Sequence, residues 1–248
     1  MLRGAALLAL LVFGLGAPAR GDETVDAAVV LAADVSRSID DDEFTLQRRG
    51  YAAAIVSDKL MEAIRGGPRG AIALAYVEWA GEGEQAIVVD WAVLRNASDA
   101  AKFAAALTAS PRSFLGRTAI GAALDFSMGL FAEGGIAADR KVIDVSGDGT
   151  SNQGRAAAVA RDAAVKAGAV VNGLSIFNRR AAASGGYLAL HTNPPGGLAQ
   201  YYRDNVIGGP GAFVLPIDDF GKFGDAMIRK LTAEIASRGA AATDLARD

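Results

Sequence analysis

The sequence contains no cysteine and a single histidine, His191. These absences exclude a Cys/His zinc site, an iron–sulfur cluster held by thiolates, and a cysteine nucleophile. Basic residues are not concentrated either: 25 Lys and Arg stand against 28 Asp and Glu, and no basic block occurs. Binding to a phosphate backbone needs such a block, so nucleic acid is not expected as a partner. Any metal bound by this chain is expected to be held by oxygen.

The sequence also lacks an apolar run of the roughly 20 residues that a membrane-spanning helix needs. The shorter run at residues 5–15 follows Arg3 and precedes the small-residue triplet at 17–19, which is the pattern of an export signal. We therefore expect residues 1–19 to be a signal peptide that is removed. The product is expected to be periplasmic or secreted, with no stable membrane anchor after cleavage.

The 248 residues, of which 51% are hydrophobic, have the composition of a globular protein with a full core. No internal repeat and no long linker divides the chain, so one domain is expected over residues 20–238. Residues 239–248 show no periodicity and are predicted to be a disordered tail.

Apolar runs alternate with alanine-rich amphipathic stretches from Val25 onward, which is typical of an α/β fold with a largely parallel sheet. Six runs are predicted to be strands, at residues 27–34, 70–79, 85–91, 141–146, 169–176 and 212–217. The second and third are separated by the short connector Ala80–Glu84, so they are expected to form a hairpin with one antiparallel edge strand.

Helices are predicted between these strands, at residues 41–64, 98–109, 119–133, 155–167, 198–205 and 219–237. Ser98 is expected to be an N-cap, and Gly168 to take the left-handed conformation that ends a helix. In the last helix, apolar residues recur every three or four positions, and Lys230 and Glu234 are among the residues between them, which predicts an amphipathic helix that closes the domain. The Gly/Pro-rich stretch 178–197 is predicted to be an irregular surface loop.

Three short segments carry oxygen ligands close to strand or helix ends. Asp34, Ser36 and Ser38 directly follow the most hydrophobic strand, Thr118 stands where a helix is expected to begin, and Asp148 follows the fourth strand between two glycines. Each segment alone has an ordinary explanation as a turn or a helix cap. Their combination is more specific than any one of them.

Together, these five residues resemble the metal-ion-dependent adhesion site (MIDAS) of von Willebrand factor type A (vWA) domains, whose pattern is D-x-S-x-S, a distant Thr and a distant Asp. The segments 143–154, 201–213 and 229–236 also resemble an uncharacterised group of exported bacterial vWA-like proteins. The resemblance implies a doubly wound, six-stranded sheet of order 3-2-1-4-5-6 with helices on both faces. It places Asp34 and Asp148 at the switch point of the sheet, where open α/β sheets bind ligands.

The resemblance further implies that Ser36, Ser38 and Thr118 coordinate a metal directly, and that Asp34 and Asp148 do so directly or through water. Two carboxylates and three hydroxyls suit Mg²⁺ or Mn²⁺. The ion would keep an open position for an Asp or Glu carboxylate of a protein partner. The expected function is therefore metal-dependent adhesion or scaffolding without catalysis.

Three further residues are candidates for supporting the site. Arg37 and Arg117 flank it in sequence and are candidates for attracting an acidic partner, although both also fit a solvated surface. Asp144 shares strand-face parity with Ser146 and Asp148, which makes it a candidate to support the ligands. Its alternative is a strand aspartate satisfied by a nearby backbone group or arginine.

Two other functions are weighed against adhesion. A serine hydrolase would have to use His191 as its base, but the sequence has no G-x-S-x-G motif and no signal that pairs with this histidine. A vWA scaffold would instead use its metal for stability only and bind its partner elsewhere.

Overall fold

A computed structural model describes residues 24–236 of the chain. The predicted signal peptide at 1–19 and the predicted tail at 239–248 lie outside the described residues, so both stay predictions. No helix between residues 24 and 236 combines the length and the apolar character that crossing a bilayer requires.

Six strands form one sheet in the order β3-β2-β1-β4-β5-β6. The strands are β1 (Ala27–Asp34), β2 (Ile72–Trp79), β3 (Gln85–Leu94), β4 (Lys141–Gly147), β5 (Ala169–Ile176) and β6 (Val214–Ile217). Among the strands of residues 24–236, only β2 and β3 pair in antiparallel fashion, which confirms the predicted hairpin and edge strand. All eight residues of β1 are buried, as expected of a central strand that is covered on both faces.

Nine α-helices surround the sheet in the described part of the chain. They are α1 (Asp41–Ile55), α2 (Asp58–Arg65), α3 (Ala97–Ala109), α4 (Ile120–Glu133), α5 (Ala157–Lys166), α6 (Arg179–Ala183), α7 (Gly186–Thr192), α8 (Leu198–Asn205) and α9 (Phe223–Ala236). One core lies between the sheet and α1, α2, α3 and α9, and a second core lies between the sheet and α4, α5 and α8. Alternate residues of β1 enter the two cores, because successive side chains of a strand point to opposite faces.

Three predictions about the helices are wrong in detail. The predicted helix at 41–64 is two helices, because the Ser57 side chain accepts a hydrogen bond from the Leu60 N–H and starts a new helix. The N-cap of α3 is Asn96, whose side chain accepts from the N–H groups of Ser98 and Asp99. The stretch 178–197 contains α6 and α7 and is not an irregular loop. Gly168 has φ +86°, as predicted for its position after α5.

The last helix also differs from its amphipathic pattern, because Lys230 and Glu234 are fully buried. The Lys230 ammonium lies 2.6 Å from a carboxylate oxygen of Asp144 on β4 and forms a second ion pair with Glu234. Asn172 on β5 donates a 2.9 Å hydrogen bond to Glu234 Oε1. This buried cluster ties α9 to the centre of the sheet and places the Lys230 ammonium between two carboxylates.

Burial, followed by the charge of Asp144, raises the pKa of Glu234 to about 7. Between about pH 4.5 and pH 7 the folded protein therefore holds a proton that the unfolded chain has lost. The free energy of unfolding should fall as pH rises through this window, by at most about 1.4 kcal/mol per pH unit for this group. Glu234→Gln should flatten the dependence when urea unfolding is measured at pH 5, 6 and 7.

The matched control for this prediction is Glu133→Gln, because Glu133 is an exposed residue at the end of α4. The carboxyl group of Asp144 remains in both variants, so only the difference between the two pH curves reports on Glu234. Equal slopes for Glu234→Gln and wild type would contradict the assignment.

Candidate metal centre

The segment after β1 is folded back by hydrogen bonds to its backbone. Asp34 ends the strand, and its Oδ1 accepts a 2.7 Å hydrogen bond from the Ser36 N–H. The guanidinium of Arg112 donates to the carbonyl oxygens of Val35, Ser36 and Ile39 at 2.9, 3.0 and 2.8 Å. These bonds fix the course of the backbone from which the Ser36 and Ser38 hydroxyls project.

The structure brings all five sequence-predicted ligands together. The hydroxyl oxygens of Ser36 and Ser38 are 3.2 Å apart, and Thr118 Oγ1 lies 3.3 Å from Ser36 Oγ. The Ser38 hydroxyl donates a 2.6 Å hydrogen bond to Asp148 Oδ1. All five side chains are buried. Residues from three segments of the chain thus form one continuous polar group.

The topology explains why Asp34 and Asp148 meet. β1 and β4 are neighbouring parallel strands, and the sheet order reverses direction between them. Asp34 is the last residue of β1 and Asp148 directly follows β4, so both lie at the carboxyl ends of these strands, at the expected switch point. The glycines beside Asp148 allow other side chains to lie close to its backbone. A Cβ on Gly147 would lie 2.9 Å from Asp34 Oδ2, and one on Gly149 would lie 2.3 Å from His191 Nε2.

The segment that carries Thr118 is held by a buried ion pair. Arg48 on α1 donates to Glu78 Oε1 at 2.9 Å and also to the carbonyl oxygens of Ser110 and Pro111. The other carboxylate oxygen of Glu78 accepts a 2.8 Å hydrogen bond from the Ser113 N–H. Nearer the site, the Thr118 N–H donates to Asn152 Oδ1 at 3.0 Å. The connection between α3 and α4 is therefore fixed at both ends.

The charged forms of Asp34 and Asp148 are disfavoured, because both side chains are buried and their negative charges repel each other. Burial and then the charge of Asp148 raise the pKa of Asp34 to about 8, and burial raises the pKa of Asp148 to about 6. Asp34 Oδ2 is buried and has no hydrogen-bond partner among the described residues. A buried acceptor without a donor is rare and costly, and a cation beside it would relieve both the missing partner and the repulsion.

The donor set fits a small, hard divalent cation. Neighbouring oxygen ligands around octahedral Mg²⁺ lie about 3 Å apart, since each lies 2.0–2.1 Å from the ion. The hydroxyl oxygen of Ser36 already lies 3.2 Å from that of Ser38 and 3.3 Å from that of Thr118. Residues 24–236 contain no group of three or more His, Cys, Asp or Glu side chains suited to a metal. The candidate centre therefore depends on its hydroxyl groups as well as on its two carboxylates.

Sequence reasoning missed two residues that contact the five ligands. Asn178 donates to Asp148 Oδ2 at 2.8 Å and to the Ser38 carbonyl oxygen at 3.0 Å. His191, buried on α7, has Nε2 3.2 Å from Thr118 Oγ1 and Nδ1 3.2 Å from Thr150 Oγ1. Both residues lie in the stretch predicted to be a loop, and nothing in its local sequence indicated contact with the segments that carry the five candidate ligands.

The three residues predicted to support the site lie in two different places. Asp144 forms an ion pair with Lys230 on α9, whereas the partner expected for a strand aspartate was a backbone group or an arginine. Arg37 and Arg117 are exposed and line a cleft of about 300 Å³. Ser38, Thr118 and His191 line the same cleft. The two arginines are therefore placed where an incoming ligand would pass.

A family model described as "Protein of unknown function (DUF1194)" matches residues 24–239, and the chain belongs to this family. No curated protein sequence matches the chain.

Several solved structures are similar to this chain in fold. Proximal thread matrix protein 1 from the mussel byssus is 17% identical with a TM-score of 0.58, over 86% of this chain and 47% of that one. The pilus adhesin SpaC from Lactobacillus rhamnosus GG is 16% identical with a TM-score of 0.59, over 85% and 30% of the two chains. A von Willebrand factor type A structure from Catenulispora acidiphila is 15% identical with a TM-score of 0.57, over 85% and 43%. The chain spans less than half the length of these three proteins, and the likeness establishes a vWA-like α/β fold.

Proposed function

We propose that this protein binds a divalent cation, Mg²⁺ or Mn²⁺, at Asp34, Ser36, Ser38, Thr118 and Asp148, and through it an acidic group of a protein partner. The observation that carries the proposal is the buried Asp34 Oδ2, which has no donor among the described residues in a pocket with three hydroxyl oxygens and a second carboxylate. The proposal makes the protein a metal-dependent adhesion or scaffolding module.

The donor set leaves the cation incompletely neutralised. Only two of the five side chains carry formal charge, and the Asn178 amide and the Ser38 hydroxyl already donate to Asp148. A bound divalent ion supplies an electrophilic position that accepts one more oxygen ligand. A partner carboxylate suits that position because it adds charge as well as an oxygen atom.

The cleft above the site supports an acidic partner. Arg37 and Arg117 line it. Their two exposed guanidinium groups beside the entrance favour the approach of a carboxylate. Arginine also binds carboxylates in a planar, bidentate geometry.

The hydrolase alternative is not favoured by the surroundings of His191. A catalytic triad needs a third group, usually a carboxylate, to orient the base through its second ring nitrogen. Here Nδ1 faces the hydroxyl of Thr150, and Nε2 faces Thr118, not one of the serines. We therefore expect purified protein to stay at background in a hydrolase screen.

Two structural relatives support the proposal by their descriptions. A structure of the mussel byssus protein is described as having a zinc-occupied MIDAS motif, and SpaC is described as a pilus adhesin. Both descriptions concern those proteins. Together with the export pattern at residues 1–19, they favour a periplasmic or secreted place of action for this chain.

The test is retention of a partner on immobilised protein. An extract of exported proteins is passed over wild type and over Asp34→Asn in Mg²⁺, and each column is then washed with EDTA. We expect a protein that EDTA releases from wild type and that the variant does not retain. If the partner stays bound during the EDTA wash while the immobilised protein remains folded, the result would favour the alternative in which the metal only stabilises the scaffold and the partner binds elsewhere.

His191 gives a second prediction, because its ring accepts or donates at Thr118 Oγ1. Groups that hydrogen-bond to metal ligands typically contribute 10–100-fold to metal affinity. His191→Ala should therefore weaken Mg²⁺ binding by about 10-fold or more in calorimetry. Gly149→Ala should weaken it as well, since its Cβ would displace the imidazole without removing any hydrogen-bonding group. Arg203→Ala, on an exposed part of α8, serves as the control, and an unchanged affinity in both test variants would contradict this role.

A further inference from the structure

The short helix α7 carries both a buried histidine and exposed apolar residues. His191 is buried between Thr118 and Thr150. Three large apolar residues of the same helix reach solvent: Tyr187 and Leu190 are 67% and 64% exposed, and Leu188 is 37% exposed. Isolated surface hydrophobic residues are ordinary, but three on seven residues of one helix form a patch that needs an explanation.

This apolar patch lies at the edge of the cleft above the candidate metal centre. Tyr187 and Leu188 line the cleft together with Arg37 and Arg117, and Ser38 and Thr118 lie among its other lining residues. None of the described residues that line it is acidic. We call the four residues Arg37, Arg117, Tyr187 and Leu188 the cleft rim.

The helix that carries half of the rim is fixed to the site. The Thr150 N–H donates a 3.0 Å hydrogen bond to the His191 carbonyl oxygen. The ring of Tyr187 stacks on the His191 imidazole, with centroids 5.8 Å apart and an interplanar angle of 7°. The apolar part of the rim is therefore held in place before any partner binds, which lowers the entropy cost of association.

We propose that the cleft rim is an interaction surface for a protein segment that presents a carboxylate next to a large apolar side chain. This inference rests on the proposed function and adds a second recognition element to it. The carboxylate enters between the two arginines toward the metal, and the neighbouring apolar side chain packs on Tyr187 and Leu188. Tyrosine and arginine are among the residues that most often dominate binding energy at protein interfaces.

The observations favour a protein segment over a membrane surface. Two arginines near an anionic bilayer give only a weak attraction. Even a complete myristoyl chain gives weak, reversible membrane binding. Of the described residues, only Tyr187 and Leu188 offer apolar surface at this cleft, and its volume of about 300 Å³ can receive a protruding side chain.

The test uses random 12-residue peptides displayed on phage and selected on immobilised protein in Mg²⁺. We expect enrichment of sequences with Asp or Glu within two positions of a large apolar residue. A synthetic copy of a selected peptide should bind the double variant Tyr187→Ser/Leu188→Ser at least 10-fold more weakly than wild type. Arg37→Gln/Arg117→Gln should also weaken it. Val159→Ser is the matched control, because Val159 is an exposed apolar residue on α5.

Calorimetry with Mg²⁺ alone separates this inference from the proposed function. If wild type binds no metal, the proposed function fails. If metal binds normally but selected peptides lack a carboxylate, bind the serine variant equally well, or are not enriched at all, the rim proposal is overturned alone. The last experiment is sedimentation with vesicles of phosphatidylcholine and phosphatidylglycerol. Vesicle binding by wild type that is lost in the serine variant would overturn the rim proposal in favour of a membrane surface.

Discussion

Addition of Mg²⁺ or Mn²⁺ to the purified protein should raise its free energy of unfolding, and Asp34→Asn should abolish the rise. A ligand that binds only the folded state stabilises it by RT ln(1 + [L]/Kd), which is about 2.7 kcal/mol at 100 times Kd. The variant keeps the shape of the side chain and an oxygen for the Ser36 N–H, but it removes a charge from the centre of the site. Thermal unfolding with and without metal measures the effect.

The same experiment contains its own test of folding. Without metal, Asp34→Asn should be at least as stable as wild type at pH 8, because it removes a buried carboxylate whose Oδ2 has no partner among the described residues. Ser36→Ala and Thr118→Ala should weaken the metal effect through loss of one neutral ligand each. Asp162→Asn, at an exposed position of α5, controls for charge. An equal response of Asp34→Asn and wild type to both metals would falsify the assignment of this site.

Glu78→Ala should lower the free energy of unfolding by about 3–5 kcal/mol. The substitution leaves the guanidinium of Arg48, which is 5% exposed, without its carboxylate, and it frees the Ser113 N–H. Removal of one partner of a buried ion pair costs more than removal of both, so the double variant Arg48→Met/Glu78→Leu should recover part of the loss. Urea unfolding monitored by circular dichroism measures all three proteins.

The contrast with an exposed ion pair checks this reasoning. Arg155 and Asp125 lie 2.6 Å apart but are 41% and 45% exposed. Asp125→Ala should therefore change the free energy of unfolding by at most about 1 kcal/mol. Comparable losses for Asp125→Ala and Glu78→Ala would show that burial of the Arg48 pair is not what makes it important.

The strands were the part of the fold that sequence predicted best. β1 and β5 have their predicted bounds, because a run of buried apolar residues between polar turns is a local signal. The five candidate ligands could also be found, since their pattern resembles that of a known metal site. What could not be found was which distant groups satisfy a buried charge. Asp144 and Lys230 lie 86 positions apart, and only the packing of α9 on the sheet brings them together.

The stretch 178–197 shows a second limit of local sequence. Its glycines and prolines predict a loop, and helices as short as α6 and α7 are marginal on their own. Asn178 and His191 contact the segments of the candidate metal centre, and such tertiary contacts stabilise short helices. Such helices are a product of tertiary contact, and composition alone does not reveal them.

The position of the candidate ligands also has a kinetic consequence. Ser38 and Asp148 are 110 positions apart, and their hydrogen bond depends on the pairing of β1 with β4. Closing a loop of this length comes at an entropic cost that favours contacts nearer in sequence early in folding. A cation bound here therefore acts on the completed fold: it should slow unfolding with little effect on the folding rate.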